Sequence, residues 1–320
     1  MEAFGKIYEQ HIERARQRPP VPEDVQRYFA GRVRRFFLSA ALPGGHPKQA
    51  AEQFIADINA EVGDEGLKLD LQGLDDVAGA DLFLGNHQGP QGDSGPQGGF
   101  ETMMSWPNLP DNIRFVLRKN LASRWTLGFR KWITATVLQK ADPIGVEHQG
   151  TLQQLPKNHA SQLEKKPIVD AFRKDRIRVA NEIINSVESG RPVMMYPEGQ
   201  RSASGRLLPF VSDYCDRIVE YIAAKMKSRE RAKIALLPAE TLQVMPDGIM
   251  NGAMLRPGAA AMHAMMYDTG FIEEKIAQTD LSDTGVVSRF TMKQLGRELA
   301  LDMRRTFEKK ILSIVQRDMA

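Results

Sequence analysis

A chain of 320 residues that is 42% hydrophobic and 26% charged can bury a substantial core, which excludes the disordered class. A net charge of +3 gives no overall basis for nucleic-acid binding, and no apolar run approaches the roughly 20 residues needed to cross a bilayer, so a soluble or peripheral protein is expected. With one cysteine, Cys215, there is no intrachain disulfide, and with no secretory-type opening a reducing, cytoplasmic compartment is expected.

Residues 1 to about 75 read mainly as helix. The segment 25–42 interleaves Arg27, Arg32, Arg34 and Arg35 with Phe29, Val33, Phe36, Phe37 and Leu38. Pro22-Glu23-Asp24 marks its start and Pro43-Gly44-Gly45 its stop, so a basic amphipathic helix is expected. Such a helix can lie on an anionic lipid surface, or it can pack its phenylalanines on the main domain and leave its arginines solvated. A second helix over 47–62 puts Ala51, Phe54, Ile55, Ile58 and Val62 on one face.

From Ala78 onward short apolar runs at 82–84, 113–117, 143–146, 193–196 and 234–237 alternate with amphipathic stretches. Helices are expected over 171–187, 213–227 and 291–315, the last with Leu295, Leu299, Met303 and Phe307 at helical spacing. Strands separated by helices predict an α/β domain with a largely parallel central sheet flanked by helices. The expected organisation is an N-terminal helical region, 1–75, followed by an α/β domain, 76–320. Gly89, Gly92, Gly95 and Gly98 imitate a collagen triplet, but so few repeats in a globular context predict a flexible loop.

Two of the strands deliver polar residues to a loop. Asn86-His87 follows the run 82–84, and Tyr196-Pro197-Glu198-Gly199-Gln200-Arg201-Ser202 follows the run beginning at Val193. An imidazole at a strand end can remove a proton near neutral pH if an acid fixes its tautomer, and Asp93 is the nearest candidate. The alternative for His87 is a structural hydrogen bond. Gln200 removes the Gly-x-Ser-x-Gly pattern of a nucleophile elbow, which disfavours a serine hydrolase. Cys215 reads as a buried thiol. The remaining histidines lack zinc-ligand spacing and no Walker-type loop occurs, so neither a metal nor a nucleotide cofactor is expected.

The second motif, continued by Gly205-Arg206-Leu207-Leu208-Pro209-Phe210, resembles the glycerolipid acyltransferase family, which includes glycerol-3-phosphate and 1-acylglycerol-3-phosphate acyltransferases. The resemblance spans roughly 82–239 and among the branches looks most like the soluble plastid-type glycerol-3-phosphate acyltransferases. It implies that Asn86-His87 with Asp93 supplies a general base, and that Glu198-Gly199-Gln200-Arg201 binds the acceptor. It also implies that Leu237-Pro238-Ala239 completes the pocket, and that Arg118-Lys119-Asn120-Leu121 is the family's basic segment. Arg201 would grip a phosphate with a planar pair of charged hydrogen bonds, with Arg118, Lys119 and His148 as further contacts. The bland alternative for Arg201 is an ion pair with a carboxylate such as Glu198. For Arg118 and Lys119 it is a solvated turn. Glu198 and Gly199 would shape the loop, the glutamate either bracing it or meeting the acceptor.

The activity implied is transfer of a fatty acyl group from acyl-CoA or acyl carrier protein to glycerol 3-phosphate, a step of phospholipid biosynthesis. The alternative acceptor is a lysophosphatidate. Three features depart from the family pattern. Five residues separate His87 from Asp93 where the family has four, which puts Gly92 at the acidic position. His148 stands where many members have arginine, and the 47 residues between His148 and Tyr196 predict an added lid or helix. The shifted aspartate motivates a different reading, an inactive acyltransferase-like lipid-binding or scaffold protein.

Overall fold

The structure, a computed structural model, describes residues 2–63, 67–87, 100–118, 136–140, 142–146, 162–199, 207–241, 257–279 and 286–319. Three helices come first: α1 (Glu2–Gln17), α2 (Glu23–Ala41) and α3 (Pro47–Glu61). β1 (Leu67–Gln72), β2 (Leu82–Gly85), α4 (Phe100–Ser105), β3 (Arg114–Arg118) and β4 (Ile144–Val146) follow. Next are α5 (Gln162–Glu188), β5 (Val193–Met195), α6 (Ser212–Lys227), β6 (Ile234–Leu237) and β7 (Ala239–Glu240). β8 (Gly258–His263), β9 (Met265–Met266), α7 (Gly270–Ala277) and α8 (Val286–Met319) complete the chain.

The central sheet has the order β4-β3-β5-β2-β6-β9, with the first five strands parallel and β9 antiparallel to β6. This is the expected largely parallel sheet flanked by helices, with a helical region at its N-terminus. A second sheet, β1-β8-β7, joins β1 to β8 in parallel and β8 to β7 antiparallel. The chain passes from one sheet to the other at Pro238, between β6 and β7.

Side-chain alternation along the strands divides the core in two. Phe83, Met194, Ala235 and Leu237 face a cluster that holds Phe29, Phe36, Phe54 and Ile58 of α2 and α3. Leu82, Leu84, Val193, Met195, Ile234 and Leu236 face a cluster built from α5, α6, α7 and α8, including Val179, Ile222, Ile272 and Phe307. Strands covered on both faces must be apolar throughout, which is why they read as continuous hydrophobic runs.

α2 therefore packs its phenylalanines on the domain. Arg32 pairs with Asp57 of α3 at 2.7 Å, and its guanidinium lies 4.7 Å from the Tyr28 ring centroid. Arg27, Arg34 and Arg35 are exposed, beside Leu38 and Leu42 at 48% and 60% exposure. α5 begins at Gln162, well ahead of the helix expected from residue 171, and occupies the long interval between His148 and Tyr196. Among the described residues no helix is long and apolar enough to cross a membrane.

Candidate active site

β5 lies beside β2 although β3, β4 and α5 intervene in sequence, with Leu82, Phe83 and Leu84 opposite Val193, Met194 and Met195. On its other side β2 pairs with β6, where Gly85 stands opposite Leu237. The chain leaves β2 toward β3 on one side of it and leaves β5 toward β6 on the other. In open α/β sheets the carboxyl ends of the strands are the usual ligand position. Asn86-His87 and Tyr196-Pro197-Glu198-Gly199 follow the carboxyl ends of β2 and β5.

Each of these residues is fixed by a specific contact. The Asn86 side chain, 2% exposed, donates to the Ala239 carbonyl at 2.9 Å and accepts the Ala239 N–H at 2.7 Å. An amide side chain thus takes the place of a peptide group and ties the turn after β2 to the first residue of β7. The His87 backbone N–H donates to Glu198 Oε1 at 2.8 Å, and the Leu208 N–H donates to Glu198 Oε2 at 2.6 Å. One buried carboxylate, 4% exposed, therefore clamps the histidine turn to its own loop and to the returning segment after it. The imidazole of half-buried His87 stacks on Tyr196, with ring centroids 4.4 Å apart and planes 24° from parallel.

The second turn is dictated by its sequence. Pro197 presets the backbone at the second turn position, and the Gly199 N–H closes the turn on the Tyr196 carbonyl at 2.9 Å. Gly199 has φ +68, and a Cβ there would lie 3.1 Å from Val211 Cγ2, so glycine suits both the backbone and the space. The Val211 N–H donates to the Pro197 carbonyl at 2.8 Å and ties the turn to the start of α6.

His87, Glu198 and Gly199 thus come together at one sheet edge. Arg118 ends β3 at the same carboxyl edge, opposite Val146 of β4. Asp93, Lys119, His148 and Arg201 lie outside the described residues. Sequence reasoning assigned nothing to Tyr196 or Gly85. The available signal was a glycine closing one buried strand and an aromatic immediately after another. Chemically, the arrangement is an imidazole whose backbone and ring are both held at the carboxyl edge of the sheet, a suitable geometry for proton transfer to or from a bound group.

No protein-family model and no curated protein matches the sequence. Three chains of solved structures match. One is the 1-acyl-sn-glycerophosphate (LPA) acyltransferase, PlsC, from Thermotoga maritima, to which this chain is similar with a TM-score of 0.42 and 10% identity, over 88% of this chain and 95% of that one.

Proposed function

We propose that the protein is an acyltransferase that moves a fatty acyl group from an acyl thioester, carried by coenzyme A or acyl carrier protein, to the hydroxyl of glycerol 3-phosphate. The observation that carries this reading is the hydrogen bond from the His87 N–H to Glu198 Oε1, because it joins the Asn-His turn and the Pro-Glu-Gly turn at one edge. The sequence resemblance of those two turns supplies the chemistry. His87 takes the proton of the acceptor hydroxyl as that oxygen attacks the thioester carbonyl. The carbon–sulfur bond then breaks, and the imidazolium returns its proton to the departing sulfur, with no covalent enzyme intermediate. In this reading Asp93 steadies the imidazolium and Arg201 holds the acceptor phosphate. Arg118, Lys119 and His148 add positive charge around it, while Glu198 and Gly199 hold the loop in shape. Peripheral membrane contact is assigned to the exposed face of α2, where Arg34 and Arg35 flank Leu38.

The test is thiol release by the purified full chain, given an acyl thioester with either glycerol 3-phosphate or 1-acylglycerol 3-phosphate. His87→Ala should lower turnover by about 10² to 10⁴-fold while leaving the fold intact. Equal rates in both proteins would refute the general base. Faster use of the lysophosphatidate would move the assignment to that acceptor, and no turnover by the wild type with either would favour a lipid-binding or scaffold role.

A further inference from the structure

Tyr196 reaches His87 because of what stands between them. Leu84 is opposite Met195 in the β2–β5 register, so the next pair along is Gly85 opposite Tyr196. A Cβ at Gly85 would lie 2.8 Å from Met194 Cε and 2.9 Å from Tyr196 Cε1, closer than side-chain contacts allow. The Tyr196 ring therefore occupies space that only a glycine leaves open, and it also packs against the core cluster beneath the sheet. A centroid separation of 4.4 Å leaves the imidazole no room to swing its plane toward Tyr196.

We infer that Tyr196 is a positioning residue for His87: laid across the bare backbone of Gly85, its ring holds the imidazole in one orientation while Glu198 holds the backbone of the same residue. The kinetic part of this inference rests on the reading of His87 as general base. Proton transfer requires an aligned base, and a misplacement of about 1 Å can lower a rate by ~10²-fold. The aromatic face supplies the alignment, and the Tyr196 hydroxyl is dispensable to it.

The inference is tested on the full chain labelled with ¹³C-histidine, with the His87 imidazole C–H resonances assigned by their loss in His87→Ala. Stacking predicts that they lie upfield of unstacked positions in the wild type and in Tyr196→Phe. Tyr196→Leu and Gly85→Ala should both return them downfield. In the thiol-release assay Tyr196→Leu should lower kcat by about 10- to 100-fold with KM for each substrate within about 2-fold, and Tyr196→Phe should restore the rate to within about 3-fold. Wild-type resonances at unstacked positions would overturn the inference, even if neither Tyr196→Leu nor Gly85→Ala folds. So would a folded Tyr196→Leu protein with unchanged kcat. Turnover that survives His87→Ala would refute the general base and the kinetic half of this inference, whereas upfield ring resonances would still uphold the stack.

Discussion

Glu198 satisfies two backbone donors with one carboxylate, and its replacement strands both. Hydrogen bonds to a charged acceptor contribute about 1.5–3 kcal/mol, and a buried N–H left without a partner costs about 1–3 kcal/mol. Glu198→Ala should therefore lower the unfolding free energy by about 2–4 kcal/mol in urea titrations and also reduce turnover, since the turn that carries His87 loses its tether. Glu198→Gln keeps one acceptor oxygen but turns an N–H toward a backbone N–H, so it should destabilise too. A stable Glu198→Ala protein with lost activity would instead assign the carboxylate to the substrate. The sequence offered both roles, brace and acceptor contact, and could not choose between them. The Leu208 N–H that occupies the second oxygen lies ten residues downstream, and which donor returns to Glu198 is a matter of tertiary path. The Tyr196 stack was hidden for a similar reason, because it requires knowing that β5 is the neighbour of β2.

In the α2–α3 pair the basic amphipathic helix packs its phenylalanines into the core. Phe54 meets Phe29 edge-on at 5.8 Å and lies 6.4 Å from Phe36, with all three at 2% exposure or less. Truncation of such a residue loses both transfer energy and packing, so Phe54→Ala should lower stability by about 3–5 kcal/mol in the same titration. A loss under about 1 kcal/mol would mean that α2 and α3 are only loosely docked. The strands around this core were legible where burial on two faces imposes an apolar run, as at Leu82–Gly85 and Ile234–Leu237. β1 was not read, although Leu67, Leu69 and Leu71 alternate with polar residues, because it lies in a region dominated by helical periodicity. β8 was hidden by its three consecutive alanines, which favour a helix. Pairing with β1 on one side and β7 on the other overrides that preference. β7 and β9 have two residues each and carry no periodic signal.

At the scale of the molecule the two ends of the central sheet have different surroundings. Lys140, ahead of β4, donates to the Leu42 and Gly45 carbonyls at 2.8 and 2.6 Å, and Lys48 pairs with Asp111, ahead of β3, at 3.3 Å. The exposed apolar end of α2 is thus held near the amino ends of β3 and β4, while His87 sits at the carboxyl edge. α1 closes the other flank: Tyr8 and Ile12 pack against Ile311 and Val315 of α8, and the Tyr8 hydroxyl donates to the buried carboxylate of Glu240, directly after the Ala239 that holds Asn86. His11 is buried in the same helix at 1% exposure. Burial, and then the charges of Arg18 and Arg14, lower its pKa from the ordinary 6.5 to about 4. Between those values the unfolded chain binds a proton that the folded chain refuses, so stability should fall as pH drops from about 6.5 to about 4 and level off below. His263 is also lowered, by burial first, so the measurement is a difference. Unfolding free energy followed against pH should be flatter in His11→Gln than in the wild type across that window. Parallel curves would show that the folded protein accommodates the charged imidazole, and that α1 is not held against the β7–α8 face by a neutral one.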